Sequence, residues 1–212
     1  MRDKANTYNG FKILVDTFIK SDVVMAEIGS YAGDSSAIFA SKCKKIYCID
    51  PWSQDILKTE YGVQVGDISE AESKFDENTK KFNNLVKIKK TSDDAAKDIE
   101  DNSLDFLYID GLHTFEQVTK DIANYYPKVK KTGIIAGHDF NPVCWKGVQQ
   151  AIQFSLGEPH FVFPDTSWAF KKSLFDELVN FVVEYRGGLP FLHTWKLAEN
   201  GDKKDYQEIK LF

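Results

Sequence analysis

An acid, and later a histidine followed by an acid, close two apolar runs in the middle of the chain: Asp110 ends the run 104–110, and His138 and Asp139 end the run 133–139. Delivered to one rim by successive strands, two carboxylates and an imidazole can hold a divalent cation such as Mg²⁺ or Mn²⁺. A second group lies near the N-terminus, in Met25-Ala26-Glu27-Ile28-Gly29-Ser30-Tyr31-Ala32-Gly33-Asp34-Ser35-Ser36. This stretch reads as a strand, a tight glycine turn and a helix start, the arrangement that holds a nucleotide-like ligand at the carboxyl end of a parallel strand. Glu27, Gly29, Ser30, Tyr31, Gly33 and Ser35 are the candidates to border such a ligand. The two glycines let the backbone turn sharply and approach where a Cβ would block, and the carboxylate of Glu27 can accept a hydrogen bond or meet a positive charge.

Asp50 ends the next apolar run about twenty residues beyond the glycine turn, the place of an acid that accepts hydrogen bonds from both hydroxyls of a ribose. Trp52, just after it, suits core packing and ligand contact equally. Ser92 and Asp93 follow a third run and can either pair with an adenine edge or cap the next helix. The turn is not the dinucleotide fingerprint Gly-x-Gly-x-x-Gly, because Tyr31 stands where a middle glycine would let a pyrophosphate pass. A diphosphate ligand, and with it a nicotinamide-dependent oxidoreductase, is disfavoured.

The elements that must position these groups follow from periodicity. A leading helix over 7–20 precedes a strand at 23–28, a helix at 35–42 and a strand at 46–50. Residues 53–66 lose periodicity and read as a lid over the site. A charged helix over 68–82 opens near a Ser69-x-x-Glu72 capping box, and a strand at 85–89 follows. Strands at 104–110 and 133–139 flank a helix at 114–129, a further helix covers 146–156, and two short strands lie at 160–163 and 168–170. This alternation predicts an α/β fold: a Rossmann-like doubly wound sheet of seven strands, mostly parallel with a final antiparallel hairpin, and helices on both faces. Residues 1–172 would form this domain. Residues 173–212 would be an extension: a helix from Ser173 to about Arg186, stopped by Gly187-Gly188, then a hairpin or arm at 192–197 and 206–211 around Asn200-Gly201, packed on the core or on a partner subunit.

With 212 residues and a net charge of −5, the chain suits one sizeable core and argues against a general phosphate-backbone binder. Cys43, Cys48 and Cys144 are an odd set without metal-ligand spacing, as in a reduced cytoplasmic setting. The expected partners are a small molecule and a second copy in a homodimer, with neither nucleic acid nor membrane.

Four motifs stand in order: Glu27-Ile-Gly-Ser-Tyr-Ala-Gly33, Ile49-Asp50-Pro51-Trp52, Ile109-Asp110-Gly111-Leu112-His113 with Asp121 downstream, and Gly137-His138-Asp139. Over roughly residues 20–172 the chain resembles class I S-adenosylmethionine-dependent methyltransferases. Within them it is similar to the small-molecule O-methyltransferase branch that includes the macrocin-type sugar enzymes (methyltransferase domain family 24) and, more distantly, catechol O-methyltransferase. The resemblance implies that Glu27, Gly29 and Gly33 border the methionine part of S-adenosylmethionine, Asp50 the ribose, and Ser92 and Asp93 the adenine. It implies that Asp110 and Asp139 bind a divalent metal, with His138 standing where many relatives have an acid, and that His113 fills the slot of a basic side chain. The expected reaction is methyl transfer to a sugar or phenol-like hydroxyl, with catalytic roles for His113 and Asp110. Asp121 reads as structural or solvated. The alternative is an inactive cofactor- or metabolite-binding module of the same fold.

Overall fold

The computed structural model describes residues 4–53, 68–173, 180–186, 189–197 and 203–210. They divide into two compact units, Met1–Phe170 and Lys171–Phe212. The first unit opens with helix α1 (Lys4–Phe18), then β1 (Val24–Ile28), α2 (Asp34–Ala40), β2 (Lys45–Ile49), α3 (Ile68–Thr79) and β3 (Leu85–Ile88). A single turn, α4 (Ser92–Ala95), leads to β4 (Leu104–Ile109), α5 (Phe115–Tyr125), β5 (Val129–Gly137), α6 (Lys146–Leu156), β6 (Phe161–Val162) and β7 (Trp168–Lys171). Of the lid expected at 53–66 only Ser53 lies within the described residues; Ser69 of the expected capping box is the second residue of α3.

The strands form one seven-stranded sheet in the order β3-β2-β1-β4-β5-β7-β6. Strand β1 pairs in parallel with β2 on one side and with β4 on the other, β2 pairs in parallel with β3, and β4 with β5. β6 and β7 pair antiparallel, which is the expected final hairpin. The chain therefore winds outward from β1 to β3 and restarts at β4, putting the topological switch point at the carboxyl ends of β1 and β4, where open α/β sheets hold their ligands.

The central strands are apolar runs because they are covered on both faces: Met25 and Ala26 of β1 and Leu104 and Leu107 of β4 are fully buried. Phe39 and Phe11 meet edge to face against the Tyr108 ring, closing the core next to β4. Two boundaries differ from expectation for local reasons. The helix at 114–129 stops at Tyr125, and a 3₁₀ turn, Tyr126–Lys128, takes over at Pro127, which has no N–H to continue an α-helical ladder. β5 starts four residues early because its register against β4 shifts between Leu104 and Phe106, a bulge that admits extra residues.

The second unit corrects the expected C-terminal helix. Its elements are three antiparallel strands, β8 (Asn180–Arg186), β9 (Leu189–Leu197) and β10 (Lys203–Lys210), in the order β10-β9-β8. Helical spacing of Leu174, Leu178, Phe181 and Val182 suggested a helix through Arg186, but Phe181-Val182-Val183 and Tyr185 favour a pleated ladder, and β8 pairs residue by residue with β9 from Asn180↔Trp195 to Arg186↔Leu189. Residues 174–179 and the stop at Gly187-Gly188 lie outside the described residues. The hairpin expected about Asn200-Gly201 exists as β9 paired with β10, its turn also outside them.

Candidate functional site

The β1–α2 turn is held by its neighbours. The Gly29 amide donates to the Ile49 carbonyl at 2.8 Å. Gly29 has φ +88°, and a Cβ there would lie 2.0 Å from the carbonyl oxygen of Asp110, so only glycine lets the end of β1 sit against the end of β4. Gly33, at φ +80°, is the N-cap of α2. Beneath the turn Glu27 is fully buried. Its carboxyl accepts hydrogen bonds from Ser30 at 2.9 Å, Ser35 at 2.6 Å and Ser36. Burial pushes its pKa up to about 7 although the serine hydroxyls pull the other way. The enclosed carboxyl thus ties the first turn of α2 to β1.

This burial has a testable sign. The folded state holds the Glu27 proton more tightly than the unfolded chain, so the group's stabilisation is complete below about pH 4.5 and is lost as pH rises through about 7. That amounts to about 3 kcal/mol lost between mildly acidic and mildly alkaline pH. Glu27→Gln is expected to flatten the pH dependence of the urea midpoint between pH 5 and 8 relative to wild type; an unchanged slope would refute it.

Asp50 braces the next corner. One carboxylate oxygen accepts from the Tyr31 amide at 2.9 Å and the other from the Trp52 amide at 2.7 Å. Burial raises its pKa against the pull of these two amides. Trp52, for which core and ligand readings were equal, is 5% exposed; its indole N–H donates to the Tyr31 carbonyl at 2.8 Å, and its ring meets Phe75 edge to face. Tyr31 itself, at φ +40°, is 53% exposed, so the turn presents an aromatic ring to solvent beside Asp50.

Ser92 and Asp93 are turned toward α5. The Ser92 hydroxyl donates to Asp121 at 2.6 Å and accepts from Gln117 at 3.1 Å. Asp93 accepts from Gln117 and from Asn124, the latter at 3.0 Å. The helix cap is Thr91, whose hydroxyl accepts from the Asp94 amide.

The acidic rim lies at the switch point. The Asp110 amide donates to the Ile28 carbonyl and the His138 amide to the Ile109 carbonyl, so the parallel ladder runs past both strand ends. His113, in the β4–α5 loop, places Nε2 2.8 Å from Asp139 Oδ2 and 3.6 Å from Asp110 Oδ1. One ligand atom from each of Asp110, His113 and Asp139 falls within 4.8 Å of the others. His138, expected among the ligands, is not brought into this group. It is buried on the other side of Asp139, Nδ1 3.0 Å from Asp139 Oδ1 and Nε2 3.9 Å from Asp165 Oδ2. Asp139 has φ +63°, a left-handed conformation that short acids tolerate. Burial alone would raise its pKa, but the two imidazoles close against it, His113 and His138, hold its carboxyl well below the usual range.

Besides Asp165, two aromatic contributors are absent from the four motifs. Trp145 stacks on the His113 ring with centroids 4.3 Å apart. Trp168, fully buried on β7, donates to the His138 carbonyl at 3.2 Å. Both come from distant sequence, and their aromatic character was the one local signal.

Comparison with known proteins decides what this geometry belongs to. The family model for the methyltransferase domain family (Methyltransf_24) matches residues 26–140, from the glycine turn to just past Asp139. The chain belongs to this S-adenosylmethionine-dependent methyltransferase family. The domain is also 32% identical over 142 residues, 62% of the chain, to the uncharacterized protein R132 of Acanthamoeba polyphaga mimivirus, and spans 58% of that relative's length. Among solved structures the methyltransferase fold is similar to the O-methyltransferase NovP (TM-score 0.55, 14% identity, 80% of this chain and 78% of that one). It is similar also to CalS11, a TDP-rhamnose 3'-O-methyltransferase (TM-score 0.53, 15% identity, 76% and 77%). Among the described residues, no helix is long and apolar enough to cross a membrane.

Proposed function

We propose that the protein transfers a methyl group from S-adenosylmethionine to a hydroxyl of a small molecule, a sugar or a phenol-like compound, with help from a divalent metal. The observation that supports this reading best is the Asp110, His113 and Asp139 cluster at the same sheet rim as the glycine turn. The residues suit both groups. Gly29, Gly33, Ser30, Ser35 and the enclosed Glu27 shape the methionine side, Asp50 the ribose, Tyr31 and Trp52 the wall beside it, and Ser92 and Asp93 the adenine side. The two carboxylates suit Mg²⁺ or Mn²⁺, with the His113 imidazole beside them. NovP and CalS11 are O-methyltransferases by name, which favours oxygen as the acceptor atom.

Bound S-adenosylmethionine supplies a methyl group on a cationic sulfur, and a bound cation supplies charge that lowers the pKa of a nearby hydroxyl. The chain's own residues do the rest. Asp110 and Asp139 would hold the cation, whose charge would help to fix the acceptor's direction for an in-line approach. His113, oriented by Asp139 and by the Trp145 face, accepts the hydroxyl proton as the oxygen–carbon bond forms and the sulfur–carbon bond breaks. The same proposal places the protein in the cytoplasm, away from nucleic acid and membranes, on its acidic charge and its cysteines, and as a homodimer through its aromatic C-terminal extension or its first helix.

Calorimetric titration with S-adenosylmethionine and its demethylated product, with and without Mg²⁺, followed by mass measurement on a panel of sugars and phenols, tests this. Micromolar binding and an acceptor gaining one methyl group are expected. No binding in either condition would remove the cofactor reading. Binding without turnover by any acceptor would favour the inactive module. Loss of Mg²⁺ binding in His113→Asn would make His113 a ligand instead of the proton acceptor.

A further inference from the structure

The α4 turn, four residues long, is far too short to hold its own position, yet it carries the two residues assigned to the adenine. Its placement is set from outside. Gln117, Asp121, Asn124 and Tyr125 line one face of α5 at i, i+4, i+7 and i+8, and every one of them binds the Ser92–Asp93 pair. Asp121 accepts from the Ser92 hydroxyl, Gln117 reaches both side chains, Asn124 binds Asp93, and the Tyr125 hydroxyl donates to the Ser92 carbonyl at 2.9 Å. Asp121 is the centre of this set: it is 1% exposed, and it also accepts from Gln117 at 3.0 Å.

Asp121 is a costly way to build a helix face. Its second oxygen, Oδ2, is buried and has no hydrogen-bond partner among the described residues, and an unsatisfied buried polar atom lowers stability. Burial pushes its pKa up to about 6, against the pull of Ser92 and Gln117. An apolar residue would pack there at lower cost, so the position calls for an explanation beyond packing.

We propose that Asp121 is a positioning residue for the cofactor: through Ser92 and Gln117 it fixes the segment after β3 that meets the adenine, referenced to the helix that begins two residues after His113. The proposal rests on the cofactor reading above and deepens it. The adenine side and the acceptor side are thereby gauged from one rigid element, α5, and loosening the Asp121 tether weakens cofactor binding without disturbing the acidic rim.

The test is calorimetric titration of the full chain with S-adenosylhomocysteine, alongside Mn²⁺ titration followed by electron paramagnetic resonance. Asp121→Ala is expected to weaken S-adenosylhomocysteine binding about tenfold, as loss of a hydrogen bond to a charged group does, with Mn²⁺ affinity unchanged. Asp121→Asn, which keeps an acceptor for Ser92, should restore binding to within about threefold of wild type. Ser92→Ala should weaken binding to a similar degree, and the double variant no further, because the two act through one contact. Equal affinity in wild type and both Asp121 variants would overturn the positioning role, as would parallel loss of nucleoside and Mn²⁺ binding, which marks general loosening. If Asp121→Ala does not fold, the Asn and Ser92 variants decide. Failure of the wild type to bind S-adenosylhomocysteine would instead overturn the cofactor reading, and this proposal with it.

Discussion

Asp139→Asn is expected to slow methyl transfer about a thousandfold, about 4 kcal/mol in the barrier, while S-adenosylhomocysteine affinity stays within about threefold of wild type. Asp139 is the carboxylate that the rim shares: His113 lies 2.8 Å from one oxygen and His138 3.0 Å from the other, and it belongs to the cluster that can hold a cation. Asparagine is the informative replacement because Asp139 has φ +63°, where Asn is tolerated and Ala is strained. The loss then reports charge and not backbone. Under the proposed mechanism one substitution weakens the cation site and frees the His113 ring from its orienting partner. Single-turnover rates at saturating cofactor, with the acceptor found by the panel, measure it. A rate within about tenfold of wild type would show that Asp139 is a structural partner of the two histidines and not part of the chemistry.

Gly29→Ala should cost the fold more than any other single methyl group in the glycine turn. At Gly29 two penalties add. With φ +88°, an L-residue is strained by about 1–3 kcal/mol, and the added Cβ would lie 2.0 Å from the Asp110 carbonyl oxygen and 2.5 Å from its carbon. Backbone cannot move aside as a side-chain tip can, so the ends of β1 and β4 would have to separate. Gly157 is the matched control: it has φ +79°, but a Cβ there would meet nothing within 4 Å, so Gly157→Ala carries the conformational strain alone. Urea unfolding should therefore show Gly29→Ala less stable than Gly157→Ala by at least about 2 kcal/mol, with S-adenosylhomocysteine binding lost only in the former. Equal destabilisation would mean that the β1–β4 approach tolerates a side chain.

Much of the first unit was legible locally because its signals are local. Glycine at 29 and 33, the acids at the ends of four apolar runs, and the change from period-two to period-3.6 patterns sit within a few residues of the structure they specify. They are enough to predict a doubly wound sheet and to put Glu27, Asp50, Asp110 and Asp139 at strand ends. The second unit was not legible in the same way. The 173–186 stretch carries a helical spacing and a β-branched run together, and pairing with β9 decided for a strand across Asn180–Arg186.

What only the tertiary structure decided is where each side chain turns once its strand has ended. Read from the motifs, His138 joins Asp110 and Asp139, and His113 has a separate role as a basic side chain. The left-handed backbone at Asp139, the indole of Trp168 on the His138 carbonyl, and Asp165 drawn in from beyond α6 set His138 into the interior and leave His113 beside both acids. Asp121 tells the same story from a helix: its pattern suits a solvated or structural residue, and the hydroxyl that engages it, that of Ser92, lies twenty-nine positions away. The sequence by itself determined the family, the doubly wound class of the sheet and the strand ends that carry the candidate rim, because backbone turns and apolar runs are specified by neighbours in the chain. The partners of the polar groups on that rim are long-range contacts between strand ends and loops, and those exist only once the sheet has brought its edges together.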